Sequence, residues 1–186
     1  YNRPDALRAV LEALMVQDDP RFEVVIADDG SREDTRAMLA AFAAGAARPA
    51  GLERLVHAWQ PDDGFRAAAA RNMAVAASRG EYLVVLDGDC VPRPDFVSRH
   101  RALAERGCMV TGSRVLMSPE LTGDVLGGRI DGPLARRPLS WWIGQRLRRP
   151  VARQRRGVGS ARLRQDLCEL GAHRLELRLA PLHDAV

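Results

Sequence analysis

The sequence predicts an α/β fold, a mostly parallel open sheet with helices on both faces. Helical and strand patterns alternate along residues 4–115, an order typical of parallel sheets whose strands are connected by helices. Two predicted strands, 22–27 and 82–86, are short and apolar apart from Glu23, without polar alternation, which indicates burial on both faces. Both runs stop on aspartates. Because a buried carboxylate is unfavourable, these strand ends are expected at the edge of the core.

The alternation begins at Pro4, which suits the first position of a helix, with Asp5 beside the positive helix end. Apolar residues then recur at helical spacing and define one buried face: Leu7, Val10, Leu11, Leu14 and Met15. Asp18-Asp19-Pro20 is expected to end this helix. After strand 22–27, Ser31 is expected to cap a second helix. The core face of that helix carries Met38, Leu39 and Phe42.

Two more strands and two more helices are expected around the apolar run 82–86. In chain order these elements are a strand at 55–59, an Ala-rich helix at 66–78, a helix at 95–106 and a strand at 108–115. From residue 118 on, glycines and prolines predict a long excursion, and residues 171–186 show no period that predicts an element.

The composition is that of one globular domain: 186 residues, 46% hydrophobic and 28% charged. It is interpreted as an α/β region, 1–115, and an irregular Arg-rich region, 116–186, within the same domain. No apolar run approaches the length of a membrane span, and no signal peptide is visible. Cys90, Cys108 and Cys168 form neither a zinc pattern nor an even disulfide set, so a cytoplasmic location is expected. Cys90 is interpreted as a small packing residue.

Asp87 and Asp89, separated by Gly88, directly follow the apolar run 82–86. Alternate residues of an extended segment point the same way, so both carboxylates are expected to face one ion. Carboxylate oxygens suit Mn²⁺ or Mg²⁺, and Mg²⁺ in particular is bound by one or two carboxylates together with substrate phosphates. The motif therefore predicts a metal site at Asp87 and Asp89, with a polar turn after a core strand as the alternative.

All 28 basic residues are Arg, and many of them lie late in the chain. Between Gly132 and Gln165 there are ten Arg and no acidic residue, with Trp141-Trp142-Ile143 in the middle. Such a patch attracts phosphates or an anionic membrane surface, which would place the protein at the periphery of the inner membrane. A solvated flap is the alternative interpretation.

Four features in register resemble the family 2 glycosyltransferases of the GT-A fold, and the resemblance covers residues 1–115. They are Tyr1-Asn2-Arg3-Pro4, the segment 23–31, Arg71-Asn72 followed by Gly80-Glu81-Tyr82, and Asp87-Gly88-Asp89. Each motif alone is weak, whereas the four in order and spacing are specific. The stretch Arg164-Gln165-Asp166-Leu167, followed by Gly171, faintly resembles the acceptor-side segment of the same family.

The resemblance implies an inverting transferase that moves a sugar from a UDP- or GDP-linked donor to the hydroxyl of a glycan or lipid-linked acceptor, as in bacterial cell-envelope polysaccharide synthesis. The residues that it implies for the nucleotide-sugar site are Tyr1, Arg3, Asp28, Arg66 and Asp87. Asp28 would contact the base. Asp87 would lie toward the ribose and the metal, and Asp89 would bind the metal, Mn²⁺ or Mg²⁺. No nucleic-acid partner is expected.

The chain departs from the family pattern at the general base that would take the acceptor proton. Family members carry an acidic pair well after the metal motif. The late acids here, none of them in that context, are Asp166, Glu169, Glu176 and Asp184. The catalytic base therefore stays unassigned, and weak or no sugar transfer by this chain is expected. The family strand that precedes Tyr1 is missing as well, so a truncated or C-terminally altered chain is expected.

Three other classes of protein are compatible with parts of the pattern. Phosphatases of the haloacid dehalogenase type also use an Asp-x-Asp motif, but on the first strand and with a later Lys, which this sequence lacks. Nucleotidyltransferases usually carry a Gly-rich phosphate loop near the N-terminus. An Arg-rich module that binds RNA or anionic lipid is the third class. His57 and His100 are interpreted as a strand residue and a helix-surface residue rather than as ligands.

Overall fold

Strand β1, Phe22–Asp29, lies at the centre of the fold, and all eight of its residues are buried. The computed structural model describes residues 1–45, 52–112, 114 and 116–130, and the backbone of residues 173–179. The elements in chain order are α1 (Pro4–Leu14), β1 (Phe22–Asp29), α2 (Glu33–Ala44), β2 (Leu52–Gln60), α3 (Ala67–Ala77), β3 (Tyr82–Asp87), α4 (Phe96–Leu103), α5 (Pro119–Leu126) and β4 (His173–Leu179).

The strands of the described sheet follow the order β2-β1-β4-β3. Strands β1 and β2 are parallel, and β4 runs antiparallel to both β1 and β3. Three strands therefore share one direction, and their carboxyl ends lie at the same edge of the sheet. The predicted α/β class with a mostly parallel sheet is confirmed.

Helices cover both faces of β1 because its side chains alternate between them. Val24 and Ile26 pack with apolar residues of α1, α2 and α4 in the larger core. Val25 and Ala27 face the other way and pack against Ala70 and Ala74 of α3 and their neighbours. Helices on both faces are therefore confirmed.

Helix α1 agrees with its sequence pattern. Pro4 is its first residue and Asp5 lies in its first turn, where a carboxylate is favourable beside the positive helix end. The apolar residues at helical spacing are fully buried: Leu7, Val10, Leu11 and Leu14. The helix ends before Asp18. The side chain of Gln17 then donates to the carbonyl of Arg93, which ties this end to the loop before α4.

Strand β3 differs from its prediction because it is not buried on both faces. Val84 is 6% exposed, whereas Val85 is 44% exposed. The smaller core, where α3 packs, contains no residue of β3. Helix α3 therefore leaves the Val85 face of this strand uncovered, and the apolar run alone does not show this.

The expected strand at 108–115 was also wrong for the residues that the structure describes there, 108–112 and 114. Gly107 has a φ of 81°, and Met109 is 87% exposed, so the segment neither extends from α4 nor packs on the sheet. Among the described strands, β4 rather than this segment pairs with β3.

Three further predictions need correction: the role of Ser31 and two elements that the sequence did not predict. Ser31 does not cap α2, whose N-cap is Arg32 with no side-chain hydrogen bond. Its hydroxyl instead accepts from the backbone of Asn2. Helix α5 lies within the expected irregular excursion. Its N-cap is Ser118, whose hydroxyl accepts from the backbone N–H of Leu121, and Pro119 is its first residue. Strand β4 lies in the stretch without an assigned period.

None of the described helices has the length and the apolar character that crossing a bilayer requires. The Arg-rich patch, with Trp141-Trp142-Ile143, lies outside the described residues, as does the stretch Arg164-Gln165-Asp166-Leu167.

Candidate functional site

The carboxyl end of β1 is held against the loop that follows β2. Gly30 has a φ of 90°, and a Cβ at this position would come within 2.5 Å of the Asp62 backbone. Only glycine tolerates both the left-handed conformation and this close approach. The tight contact brings the ends of two parallel strands and the loop 61–66 together, at the edge where ligands bind in open α/β sheets.

Asp28 is fully buried at this edge and is paired with His57 of β2. One carboxylate oxygen, Oδ1, accepts the backbone N–H of Ser31 at 2.9 Å. The other, Oδ2, lies 2.7 Å from Nε2 of His57. The side chain of His57 is 19% exposed, whereas that of Asp28 has no exposed surface. The partly exposed imidazole is thus held by a carboxylate that has no exposed surface of its own.

Asp29 points to the opposite face and fixes the start of α3. Its Oδ1 accepts the side-chain amide of Gln60 at 2.5 Å, and its Oδ2 accepts the backbone N–H of Arg66 at 2.6 Å. The guanidinium of Arg66 donates to the carbonyl of Pro61 at 2.7 Å and lies 3.6 Å from Asp63. The backbone of Arg66 is thereby fixed at the same edge, and its guanidinium lies against Pro61 and Asp63 of the loop 61–66.

The first residues of the chain lie along this edge. The hydroxyl of Tyr1 donates to the carboxylate of Asp62. Asn2 adopts a φ of 54°, and its Oδ1 accepts the backbone N–H of Arg32 at 2.9 Å. Arg3 lies 3.6 Å from Asp5 in an exposed ion pair. Tyr1 is therefore beside the β1 end, whereas Arg3 is directed to the first turn of α1.

Trp59, on the same face of β2 as His57, closes the side of the site near α2. Its indole Nε1 donates to the carbonyl of Ser31 at 3.1 Å. The guanidinium carbon of Arg36 lies 5.1 Å from the ring centroid, within cation–π range. The indole is 37% exposed and offers apolar surface next to the imidazole.

The end of β3 carries a second group of side chains. Oxygens of Asp87 and Asp89 and the Sγ of Cys90 lie within 4.8 Å of one another. Two carboxylates that converge at a strand end fit Mn²⁺ or Mg²⁺, which prefer oxygen ligands. Cys90 is therefore a neighbour of the two carboxylates and not only a packing residue. Burial raises the pKa of its thiol.

Arg114 adds a positive charge to this second group. Its Nη1 lies 3.1 Å from Oδ2 of Asp87 and 4.0 Å from the sulfur of Cys90. Both members of the ion pair are partly exposed, 48% for Arg114 and 33% for Asp87. The charge that Asp87 presents at the edge of the sheet is therefore partly balanced within the chain.

The two groups of side chains lie near each other. Adjacent residues of β4 are the main-chain partners of the two strand ends, His173 of Asp28 and Arg174 of Asp87. The ends of β1 and β3 therefore contribute to one region of the sheet edge.

The predicted site residues did not include Asp29, His57 or Arg114, which also belong to this region. Asp29 adjoins Asp28 in the sequence, and the alternation of a strand would have placed the two on opposite faces. The pairing of His57 with Asp28 depends on the register of β2 against β1, which the sequence does not show. No motif marks Arg114.

The chain is similar to a set of polysaccharide-related proteins. It is 33% identical over 106 residues to a hyaluronan synthase of Pasteurella multocida, which is 56% of this chain and 10% of that protein. It is 33% identical over 99 residues to the succinoglycan biosynthesis protein ExoO of Rhizobium meliloti (strain 1021), 53% of this chain and 26% of that protein. It is 31% identical over 104 residues to a chondroitin synthase of Escherichia coli, 55% of this chain and 14% of that protein.

The matched parts are between a tenth and about a quarter of the length of these relatives. No solved structure matches the chain. The family described as glycosyl transferase family 2 matches residues 1–164, most of the sequence and all of the candidate site. The chain belongs to glycosyl transferase family 2.

Proposed function

We propose that the chain is the donor-binding part of an inverting glycosyltransferase, which moves a sugar from a nucleotide-diphosphate donor to an acceptor hydroxyl. The observation that carries this proposal is the group at the end of β3, where Asp87 and Asp89 converge in a member of glycosyl transferase family 2. Two carboxylates at this edge would hold Mn²⁺ or Mg²⁺, and the bound cation would supply Lewis-acid stabilisation of the departing diphosphate.

The chain's own residues would bind the rest of the donor. Tyr1 and Asp28 would lie on the nucleoside side, and Asp87 toward the ribose. Arg3 would join them only by leaving its exposed ion pair with Asp5. Arg66, held in place through its backbone by Asp29, would add a charge-assisted contact to the diphosphate. Fixed positive charge placed where negative charge grows lowers the barrier to departure of the nucleotide.

The acceptor is proposed to be a growing glycan of the bacterial cell envelope. The names of the relatives refer to hyaluronan, succinoglycan and chondroitin, all of which are polysaccharides. A lipid-linked acceptor would bring the chain to the cytoplasmic side of the inner membrane, where the Arg-rich patch between Gly132 and Gln165 would contact anionic lipid.

Nucleotide binding by the purified chain tests the proposal. Calorimetric titration with UDP and with GDP, in Mn²⁺ and again in excess EDTA, should show binding of one of them that depends on the metal. Asp89→Ala should abolish the part of the nucleotide binding that depends on the metal. Glu105→Ala is the matched control, because it removes the same charge at an exposed position outside the site.

Two results would contradict the proposal. One is nucleotide binding that is equal in Mn²⁺ and EDTA and unchanged by Asp89→Ala. The other is the absence of nucleotide binding together with salt-dependent binding of RNA that Asp89→Ala does not affect, which would favour a nucleic-acid module.

A further inference from the structure

The loop 61–66, which follows β2, is tied to the first residue of the chain at the edge of the sheet. The hydroxyl of Tyr1 donates to Oδ2 of Asp62, 61 residues later in the sequence. Asp62 is exposed, and Tyr1 is 38% exposed. A contact at such an exposed position contributes little to stability. Its place beside the candidate site therefore calls for another explanation.

The backbone of Asp62 is fixed by the turn that ends β1. A Cβ added to Gly30 would come within 2.5 Å of the Cα of Asp62, so the two backbones are in direct contact. The φ of 90° at Gly30 keeps the turn in the left-handed conformation that this approach requires. Asp62 thus offers its carboxylate to Tyr1 from a backbone that is packed against the end of β1.

The backbone next to Tyr1 is fixed by the same turn. The N–H of Asn2 donates to the hydroxyl of Ser31 at 3.2 Å, and its side-chain oxygen accepts the backbone N–H of Arg32 at 2.9 Å. Asn2 has a φ of 54°, which is uncommon for a residue other than glycine. These two hydrogen bonds hold it there, so the chain enters the site in one direction.

We propose that Asp62 is a positioning residue of the donor site, which holds the side chain of Tyr1 in place before a nucleotide binds. The inference rests on the proposed function, in which Tyr1 lies on the nucleoside side. It adds a residue that none of the sequence motifs includes. Asp62 acts through Tyr1 rather than by contacting the nucleotide.

The advantage of such a contact is preorganisation. A tyrosine side chain without a partner rotates freely at the surface, and ordering it when a ligand binds costs free energy. The hydrogen bond to Asp62 makes this ordering part of the folded state. It also raises the pKa of the Tyr1 hydroxyl, which therefore stays protonated, and a donor, at neutral pH.

The effect should be confined to the nucleoside side of the donor. Arg66, which is proposed to contact the diphosphate, is held by Asp29 and by the carbonyl of Pro61. Neither of these contacts includes the side chain of Asp62. Loss of that side chain should therefore weaken the binding of a nucleotide and leave the binding of a diphosphate without a nucleoside unchanged.

Calorimetric titration of the full chain in Mn²⁺ tests this difference, with UDP, GDP and inorganic pyrophosphate as ligands. Asp62→Ala should raise the dissociation constant of the preferred nucleotide roughly two- to fivefold, the effect of one side chain that must be ordered on binding. The affinity for pyrophosphate should not change. Asp62→Asn keeps an acceptor oxygen and should retain most of the nucleotide affinity. Glu105→Ala, which removes an exposed carboxylate elsewhere, is the matched control.

A double-mutant cycle shows whether Asp62 acts through Tyr1. Tyr1→Phe removes the hydroxyl but keeps the ring, and it should raise the dissociation constant as much as Asp62→Ala does. Adding Asp62→Ala to Tyr1→Phe should cause no further loss, because the contact is already broken. Since Tyr1→Phe removes a single exposed oxygen atom, it remains decisive if thermal unfolding shows that Asp62→Ala does not fold.

The outcomes separate the two proposals. If UDP or GDP binds the unaltered chain but neither Asp62→Ala nor Tyr1→Phe weakens it, the role of Asp62 is wrong while the donor site stands. A further loss in the double variant would show that Asp62 contacts the nucleotide itself, and an equal loss for pyrophosphate would show a general disturbance of the site. Either result overturns the positioning role. If neither nucleotide binds the unaltered chain, both proposals fail.

Discussion

The guanidinium of Arg114 lies on the carboxylate of Asp87, with Nη1 3.1 Å from Oδ2. A fixed cation therefore contacts one of the two carboxylates that are proposed to bind a metal ion. Arg114 would compete with the ion for the same oxygen, and it would remain nearby to contact phosphate once the ion is bound. The chain thus contains a built-in competitor for its proposed metal site.

Removal of this competitor should strengthen metal binding in the absence of nucleotide. Because the pair is partly exposed, we expect Arg114→Ala to lower the dissociation constant for Mn²⁺ by only about two- to fivefold. Titration calorimetry with MnCl₂ measures the change. Arg106→Ala, at an exposed position of the same segment, is the control. Weaker Mn²⁺ binding by Arg114→Ala would contradict the prediction.

Asp29 should matter both for stability and for the position of Arg66. Asp29→Ala leaves the Arg66 N–H without its acceptor and removes one of the two acceptors of the Gln60 amide. It is expected to lower the free energy of unfolding by about 2–3 kcal/mol. Urea unfolding measures this loss, and the affinity for UDP or GDP should fall in parallel. Asp63→Ala, which removes the 81% exposed partner of Arg66, should cost less than about 1 kcal/mol. Equal costs for the two variants would contradict the prediction.

The two adjacent valines of β3 provide a direct test of its one-sided burial. Val84 is 6% exposed and Val85 is 44% exposed. Val84→Ala should lower the free energy of unfolding by about 2 kcal/mol, because it removes packed methyl groups and leaves a cavity. Val85→Ala should lower it by less than about 1 kcal/mol. Urea unfolding of both variants measures these two free-energy losses. A larger loss for Val85→Ala than for Val84→Ala would show that the Val85 face is covered.

Asp19 should make stability depend on pH at acid values. Hydrogen bonds from Arg21, with further ones from Arg101, lower its pKa from 3.8 to about 2 against the opposing effect of burial. A carboxyl group whose pKa is lowered in the folded state stabilises it above the unfolded pKa. This contribution, about 2 kcal/mol, is lost as the pH falls from about 5 through 2.

The test compares Asp19→Asn with the unaltered chain in urea unfolding at pH 6 and at pH 3. The variant should be less stable at pH 6, and the difference should shrink at pH 3. Asp5→Asn, in an exposed ion pair, is the control. A difference that is the same at both pH values would show that the ion pairs of Asp19 contribute through geometry rather than charge.

The sequence alone was sufficient to predict those helices and strands that one local pattern determines. The spacing of Leu7 to Leu14 predicted α1, and the apolar run that follows Glu23 predicted a strand that proves buried along its whole length. The same kind of run was not sufficient for β3. Whether Val85 is covered depends on where α3 packs, and this is a tertiary contact that a run of valines does not encode.

The candidate site shows the same division. The aspartates at the ends of β1 and β3 were identified from their position after apolar runs, and the structure places them at one edge. The partners that orient them, His57 and Arg114, depend on the pairing of β2 with β1 and on the position of Arg114 after α4. The leucines at 175, 177 and 179 alternate in β4, so a period-2 search of the late residues would have found this strand.

Strand β4 has a consequence for the spacing of the two aspartate groups. His173 is the main-chain partner of Asp28, and the next residue, Arg174, is the partner of Asp87. The Cα atoms of the two aspartates are therefore separated by two inter-strand steps and one residue along the strand, about 10 Å in all. Backbone ladders, rather than any side chain at the rim, determine this distance, so point substitutions among the rim residues should change chemistry without changing the span.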